Sequence, residues 1–170
     1  MSALMATLRV VVVEDNPNMR SIISAILTGI GIRNVQECAD GAQALALLRE
    51  QRMDMAIVDF NMTPVDGVMF TQLVRNAADS PNRMLPIIML TGHSERTRVE
   101  EARDAGVTEF ISKPVTARAV IDRLNAVINR PRPFIQAEGY FGPDRRRRAD
   151  PAFTGPWRRA GDPEAKDQAS

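Results

Sequence analysis

The chain has 170 residues, of which 44% are hydrophobic and 25% are charged, and its formal net charge at neutral pH is +1. A chain of this length holds one full domain with an appendage but not two large domains. A net charge near zero excludes the strong overall positive field of many nucleic-acid-binding proteins. The charge is nevertheless uneven, because residues 131–170 carry 8 basic and 6 acidic side chains whereas residues 1–130 carry 14 and 15.

The sequence contains no sign of export or of membrane insertion. Its single cysteine, Cys38, has no partner for an internal disulfide. The first seven residues lack the basic segment and the long apolar segment of a secretory signal, and no stretch approaches the ~20 apolar residues of a membrane span. We therefore expect a soluble cytoplasmic protein without a membrane partner.

The first half of the chain alternates between short apolar runs and amphipathic segments. Residues 8–13 form a Val-rich run, which is typical of a strand buried on both faces of a parallel sheet. Asn16 then supplies an N-cap and Pro17 a first helical residue, and apolar residues recur at helical spacing as far as Ile30. The remaining predicted elements of this half are a strand over residues 34–39, a helix after Asp40-Gly41 and a strand over residues 55–59.

The second half repeats this alternation. A loop rich in turn-forming residues over 60–67 places Asp66 to cap a helix that runs through Arg75. Gly106 ends the next helix, for which Ser94 is the predicted cap. The remaining predicted elements are strands over residues 86–91 and 107–111 and a last helix that opens at Thr116. Five alternations of strand and helix predict an α/β fold with a doubly wound parallel sheet.

The alternation stops after Asn129. Residues 130–133 are an Arg-Pro-Arg-Pro connector that no helix accommodates, and the residues beyond it are rich in Pro, Gly, Arg and Asp with few aliphatic side chains. We therefore predict one domain over residues 7–130. We predict an irregular tail, largely without a core of its own, over residues 131–170.

Residues suited to phosphoryl chemistry follow four of the predicted strands. They are Glu14 and Asp15 after the first strand, Asp59 after the third, Thr91 after the fourth and Lys113 after the fifth. The carboxyl ends of parallel strands lie side by side, so we expect these side chains to converge in one crevice.

This set suits a divalent cation and a phosphoryl group. The three carboxylates offer the oxygen ligands that Mg²⁺ takes in proteins, and the backbone carbonyl of Asn61 can complete the protein's contribution. Asp59 would keep one oxygen free to attack phosphorus, which is covalent catalysis by a carboxylate. The Lys113 ammonium and the Thr91 hydroxyl would hold the phosphoryl oxygens.

The ordered set resembles the receiver domain of bacterial two-component response regulators, over about residues 7–130. The motifs that carry the resemblance are Glu14-Asp15, the loop from Asp59 to Gly67, Thr91-Gly92 and Lys113-Pro114. The resemblance implies a flavodoxin-like sheet with strand order 2-1-3-4-5. It also implies that Asp59 accepts phosphate from a histidine kinase or a histidine phosphotransfer protein, with Mg²⁺ or Mn²⁺ held by Glu14, Asp15 and Asp59.

The resemblance further implies a switch. Thr91 and Phe110 would move together upon phosphorylation and alter the face formed by the fourth helix, the fifth strand and the fifth helix. That face would then engage an unidentified target protein or a second phosphorylated copy. The family also implies a cis bond between Lys113 and Pro114. Two positions depart from its pattern, because Pro64 comes one residue late in its loop and Phe110 stands where tyrosine is frequent.

A segment rich in aromatic side chains and arginine is the second notable feature. It comprises Tyr140, Phe141, Arg145, Arg146, Arg147 and Arg148. Two interpretations stay open. A run of like charges is typical of a solvated tail, whereas aromatic side chains are costly to leave in water and indicate a docking peptide, for this domain or for a partner.

We interpret the chain as a stand-alone receiver whose output is a protein–protein interaction and whose only catalysis is its own phosphorylation and dephosphorylation. One alternative is a haloacid-dehalogenase-like phosphatase, but such enzymes usually carry a second aspartate two residues after the nucleophile, where this chain has Asn61 or Pro17. The other is a receiver with a nucleic-acid-binding tail. Because Asp144 and Asp150 dilute the positive field of that tail, we do not expect a nucleic-acid partner.

Overall fold

A computed structural model describes residues 2–92 and 97–146 of the chain. Its central sheet contains five parallel strands in the order β2-β1-β3-β4-β5. The strands are β1 (Arg9–Val13), β2 (Asn34–Cys38), β3 (Met55–Asp59), β4 (Ile87–Thr91) and β5 (Glu109–Ser112). This order confirms the predicted flavodoxin-like, doubly wound fold.

Helices connect these strands and cover both faces of the sheet. They are α1 (Ser2–Thr7), α2 (Pro17–Gly29), α3 (Gly41–Glu50), α4 (Gly67–Asn76), α5 (Val99–Ala105) and α6 (Ala117–Asn129). The short α1 precedes the repeating units and was not predicted. The fourth and fifth helices of the repeating units are therefore α5 and α6.

Side-chain caps fix where four of these helices begin. The side chains of Asn16, Asp40, Asp66 and Thr116 each accept a hydrogen bond from a backbone N–H in the first turn that follows. Such a cap satisfies a donor that has no partner within the helix, which stabilises the helix by about 1 kcal/mol. The capping predictions for these positions are thus confirmed, while Ser94 lies outside the described residues.

Successive residues of β1 supply the two halves of the core. Val10 and Val12 pack with apolar side chains of α2 and α6, whereas Val11 and Val13 pack with side chains of α3 and α4. All four valines are fully buried. Helices on both faces explain why the sequence of this strand is a continuous apolar run rather than an alternating one.

Gly67 stands where the chain passes closest to the end of β3. A Cβ atom at this position would lie 2.5 Å from the backbone oxygen of Asp59 and 3.0 Å from the terminal methyl of Met89. We expect Gly67→Ala to lower the free energy of unfolding by about 1 to 3 kcal/mol, because the strand or the helix must shift. Denaturant unfolding measures this change.

Gly29, in the last turn of α2, provides the matched control. A Cβ atom there has nothing within 4 Å. Gly29→Ala is therefore expected to be neutral or stabilising, by up to about 1 kcal/mol. Equal losses in the two variants would contradict the steric explanation for Gly67.

Part of the segment predicted as an irregular tail is regular. Strands β6 (Phe134–Ala137) and β7 (Tyr140–Pro143) pair antiparallel as a hairpin, and β7 contacts α4 and α5. The prediction missed this hairpin because its stability comes from contacts with the domain rather than from its own sequence. A local signal was present in Gly139, which adopts φ 72° in the two-residue turn between the strands.

The structure does not test the predicted domain limits of 7–130 and 131–170, which remain predictions. Among the residues that the structure describes, no helix is both long and apolar enough to span a membrane.

Candidate functional site

Two buried carboxylates lie at the carboxyl end of the sheet. Glu14 directly follows β1 and Asp59 is the last residue of the neighbouring β3, and they are 1% and 4% exposed. Asp15, the next residue after Glu14, is exposed. Burial of acidic side chains is costly unless a positive charge or hydrogen-bond donors compensate it, so this arrangement needs a partner.

Lys113 supplies part of that compensation. Its Nζ atom lies 2.6 Å from Asp59 Oδ1 and 3.6 Å from Glu14 Oε2. The residue follows β5, whose last pair with β4 is Thr91 with Ser112, so strand pairing places it at the same edge of the sheet. One ammonium group thus faces two buried carboxylates, with Asp15 adjacent, and the cluster retains an excess of negative charge.

The protonation equilibria of the cluster reflect this geometry. Burial raises the pKa of Glu14 to about 7, an effect that the Asn16 N–H opposes and the Asp59 carboxylate reinforces. Burial also raises the pKa of Asp59, although Lys113 donates to it. Burial acts to lower the pKa of Lys113, but its hydrogen bond to Asp59 and the charges of both carboxylates outweigh burial and the net shift is upward.

The three carboxylates fit a divalent cation. One oxygen from each of Glu14, Asp15 and Asp59 lies within 4.8 Å of the others. Glu14 Oε2 is buried and accepts no hydrogen bond. Mg²⁺ prefers hard oxygen ligands. This cluster offers such ligands, an excess of negative charge and a buried oxygen that accepts no hydrogen bond.

Arg20 holds the loop that carries Glu14 and Asp15. Its Nη1 atom donates to the Glu14 backbone carbonyl at 2.7 Å, and its Nε atom donates to Glu37 at 3.2 Å. The Glu14 N–H donates to the Cys38 carbonyl at 3.1 Å. Arg20 is not among the predicted site residues, because no spacing rule singles it out among the arginines of the chain.

The other predicted site residues lie at the same edge of the sheet or in the strand beside it. Thr91 ends β4, is buried, and accepts a hydrogen bond from the Lys113 N–H at its carbonyl, at 2.7 Å. Phe110 is half-buried in β5 and packs against a cluster that includes Phe60. Asn61 is exposed, two residues beyond Asp59.

Two loops at this edge contain cis peptide bonds. The Lys113–Pro114 bond is cis, as the family resemblance implies. The Thr63–Pro64 bond is also cis, in the loop where the proline departs from the family pattern. Asp66 closes that loop as the N-cap of α4.

Within the part of the tail that the structure describes, the aromatic side chains are packed rather than solvated. Tyr140 is buried, and the Arg145 guanidinium lies 4.5 Å from its ring centre. The Arg83 guanidinium lies 4.1 Å from the ring centre of Phe141. Arg146 is exposed and forms an ion pair with Asp144. Arg147 and Arg148 lie outside the described residues.

The sequence matches the response regulator receiver domain over residues 10–125. It is 32% identical to the chemotaxis protein CheY-3 of Vibrio cholerae over 123 residues, which cover 72% of this chain and 93% of that protein. It is also 32% identical to the chemotaxis protein CheY of Pseudomonas aeruginosa, covering 72% of this chain and 98% of the relative.

Solved structures agree with this match. The receiver domain of the sensor histidine kinase PA1611 from Pseudomonas aeruginosa, described with a magnesium ion coordinated in its active site cleft, is 30% identical with a TM-score of 0.64. That similarity covers 72% of this chain and 98% of the solved chain. Neither the phosphatase nor the nucleic-acid alternative is favoured. The chain belongs to the response regulator receiver domain family and is a two-component response regulator.

Proposed function

We propose that Asp59 accepts a phosphoryl group from a phosphohistidine of a histidine kinase or a histidine phosphotransfer protein, and that the modified protein changes its protein–protein contacts. The observation that carries this proposal is the buried Asp59 carboxylate, held 2.6 Å from Lys113 beside Glu14. Asp66, by contrast, accepts a hydrogen bond from the Met69 N–H as the N-cap of α4.

The proposed step is an in-line displacement at phosphorus. An oxygen of Asp59 forms a bond to phosphorus while the bond from phosphorus to the histidine nitrogen breaks and the imidazole leaves. Lys113 offsets the negative charge on the phosphoryl oxygens, and the Thr91 hydroxyl donates to one of them. Mg²⁺ would be held by Glu14, Asp15, Asp59 and the Asn61 carbonyl, and it would supply positive charge that offsets the phosphoryl oxygens. Mn²⁺ would serve the same ligands.

The proposed consequence is a change on the surface of the domain. Thr91 and Phe110 would rearrange together and alter the face of α5, β5 and α6, which would bind a target protein or a second phosphorylated copy. We propose that the protein acts in the cytoplasm and catalyses only its own phosphorylation and dephosphorylation.

Metal removal tests the proposal directly. With acetyl phosphate and Mg²⁺, the protein is expected to gain one phosphoryl group by intact mass, and borohydride reduction should locate it at position 59. Chelation of the metal with EDTA should reduce the modification to background. Labelling that persists with EDTA, or that maps to another residue, would contradict the proposed site.

A further inference from the structure

The C-terminal hairpin is attached to the domain through alternating aromatic rings and guanidinium groups. The Arg75 guanidinium lies 5.0 Å from the ring centre of Phe134, and the Arg83 guanidinium lies 4.1 Å from that of Phe141. The two rings contact each other with centres 5.7 Å apart. Contacts of this kind are strongest where water is excluded.

The hairpin and the residues that flank it also contact the C-terminal end of α5 and the strand that follows it. Arg145 forms an ion pair with Asp104, in the last turn of that helix. A Cβ atom on Gly142 would lie 3.0 Å from the Cα atom of Gly106, so β7 runs directly against the residue that ends α5. Arg132, just before the hairpin, forms an ion pair with Glu109 of β5 at 3.0 Å.

The N-terminal end of α5 packs next to the proposed phosphorylation site. The Arg98 guanidinium, at the N-cap position, lies 4.8 Å from the ring centre of Phe60, the residue next to Asp59. Phe60 packs in one buried cluster with Ala102 and Ala105 of α5. The helix is only seven residues long, and so short a helix depends on packing for its stability, which makes the contacts at its two ends important for its position.

We propose that residues 132–145, the hairpin together with Arg132 and Arg145 at its two ends, form a strap on α5 that stabilises the unmodified arrangement of the Asp59 site, so that phosphorylation and release of the strap favour each other. This inference rests on the proposed function. The hairpin docks on α5 while Asp59 is paired with Lys113, so its contacts stabilise that position of the helix. A binding element shifts a conformational equilibrium by its difference in affinity for the two states, and the coupling is reciprocal.

The test compares affinities for beryllofluoride with Mg²⁺, a phosphoryl analogue, in the full chain. Phe141→Ala and Arg145→Gln weaken the strap, and each is expected to bind beryllofluoride about five-fold more tightly than wild type, as followed by fluorine NMR. Glu138→Gln, in the exposed turn of the hairpin, is the matched control and should bind as wild type does. In wild type, saturation with beryllofluoride should accelerate amide hydrogen exchange in residues 134–143.

The outcomes separate the two proposals. Wild type that fails to bind beryllofluoride contradicts the proposed function itself. Binding with equal affinity in all variants, together with unchanged exchange in the wild-type hairpin, overturns only the strap. If Phe141→Ala fails to fold, the strap is still tested by Arg145→Gln and by hydrogen exchange in the wild type. Both experiments leave the aromatic rings of the interface in place.

Discussion

Asp59→Asn is expected to reduce phosphorylation by acetyl phosphate to background. An amide presents no anionic oxygen to phosphorus, so the covalent step is lost even though asparagine has almost the same shape. We expect no substitute acceptor, because Lys113 lies 2.6 Å from Asp59 but 3.6 Å from Glu14, and Asp15 is exposed. Phosphate-affinity electrophoresis and intact mass measure the result.

Asp40→Asn is the matched control for this substitution. Asp40 caps α3 through a hydrogen bond from the Gln43 N–H at 2.9 Å, and asparagine caps a helix as well as aspartate does. The control should therefore be modified at the wild-type rate and unfold at the wild-type denaturant concentration. Residual labelling of Asp59→Asn, lost in a further Asp15→Asn variant, would show that the acceptor had been misassigned.

The fold was predictable from sequence because its determinants are local. The order of the elements can be predicted from local signals, without knowing which residues they contact in the fold. These signals are a Val-rich run before Glu14, an N-cap followed by proline at Asn16-Pro17, and similar caps at later helices. Parallel topology then brings distant strand ends together, so the proximity of Glu14, Asp59 and Lys113 follows from the order alone.

The contacts of the hairpin were not predictable in the same way. An arginine in the last turn of a helix is usually solvated, and nothing near Arg75 in the sequence marks it as buried. Its burial results from the Gly106 carbonyl and the Phe134 ring, which lie 31 and 59 residues further along the chain. Arg20 escaped notice for the same reason, since its partner is a backbone carbonyl that sequence patterns do not reveal.

Arg75→Ala is expected to lower the free energy of unfolding by about 3 to 5 kcal/mol. Arg75 is fully buried, and no carboxylate pairs with it among the described residues. Its guanidinium instead donates to the Gly106 carbonyl at 3.0 and 3.1 Å and to the Arg83 carbonyl at 2.8 Å. Alanine would leave both carbonyls without these donors and would remove the side chain under Phe134.

Two further variants distinguish this role from that of positive charge in general. Burial lowers the pKa of Arg75 to about 10, so the group stays protonated at neutral pH. Arg75→Lys should nevertheless lose more than half as much stability as Arg75→Ala, because a single ammonium cannot span the two carbonyls that the planar fork reaches. Arg118→Ala, at a side chain that is 85% exposed, should change stability by less than about 0.5 kcal/mol. Urea unfolding of the full chain measures all three variants. A lysine variant as stable as wild type would show that the positive charge, rather than the planar guanidinium with its several donors, accounts for the stabilisation.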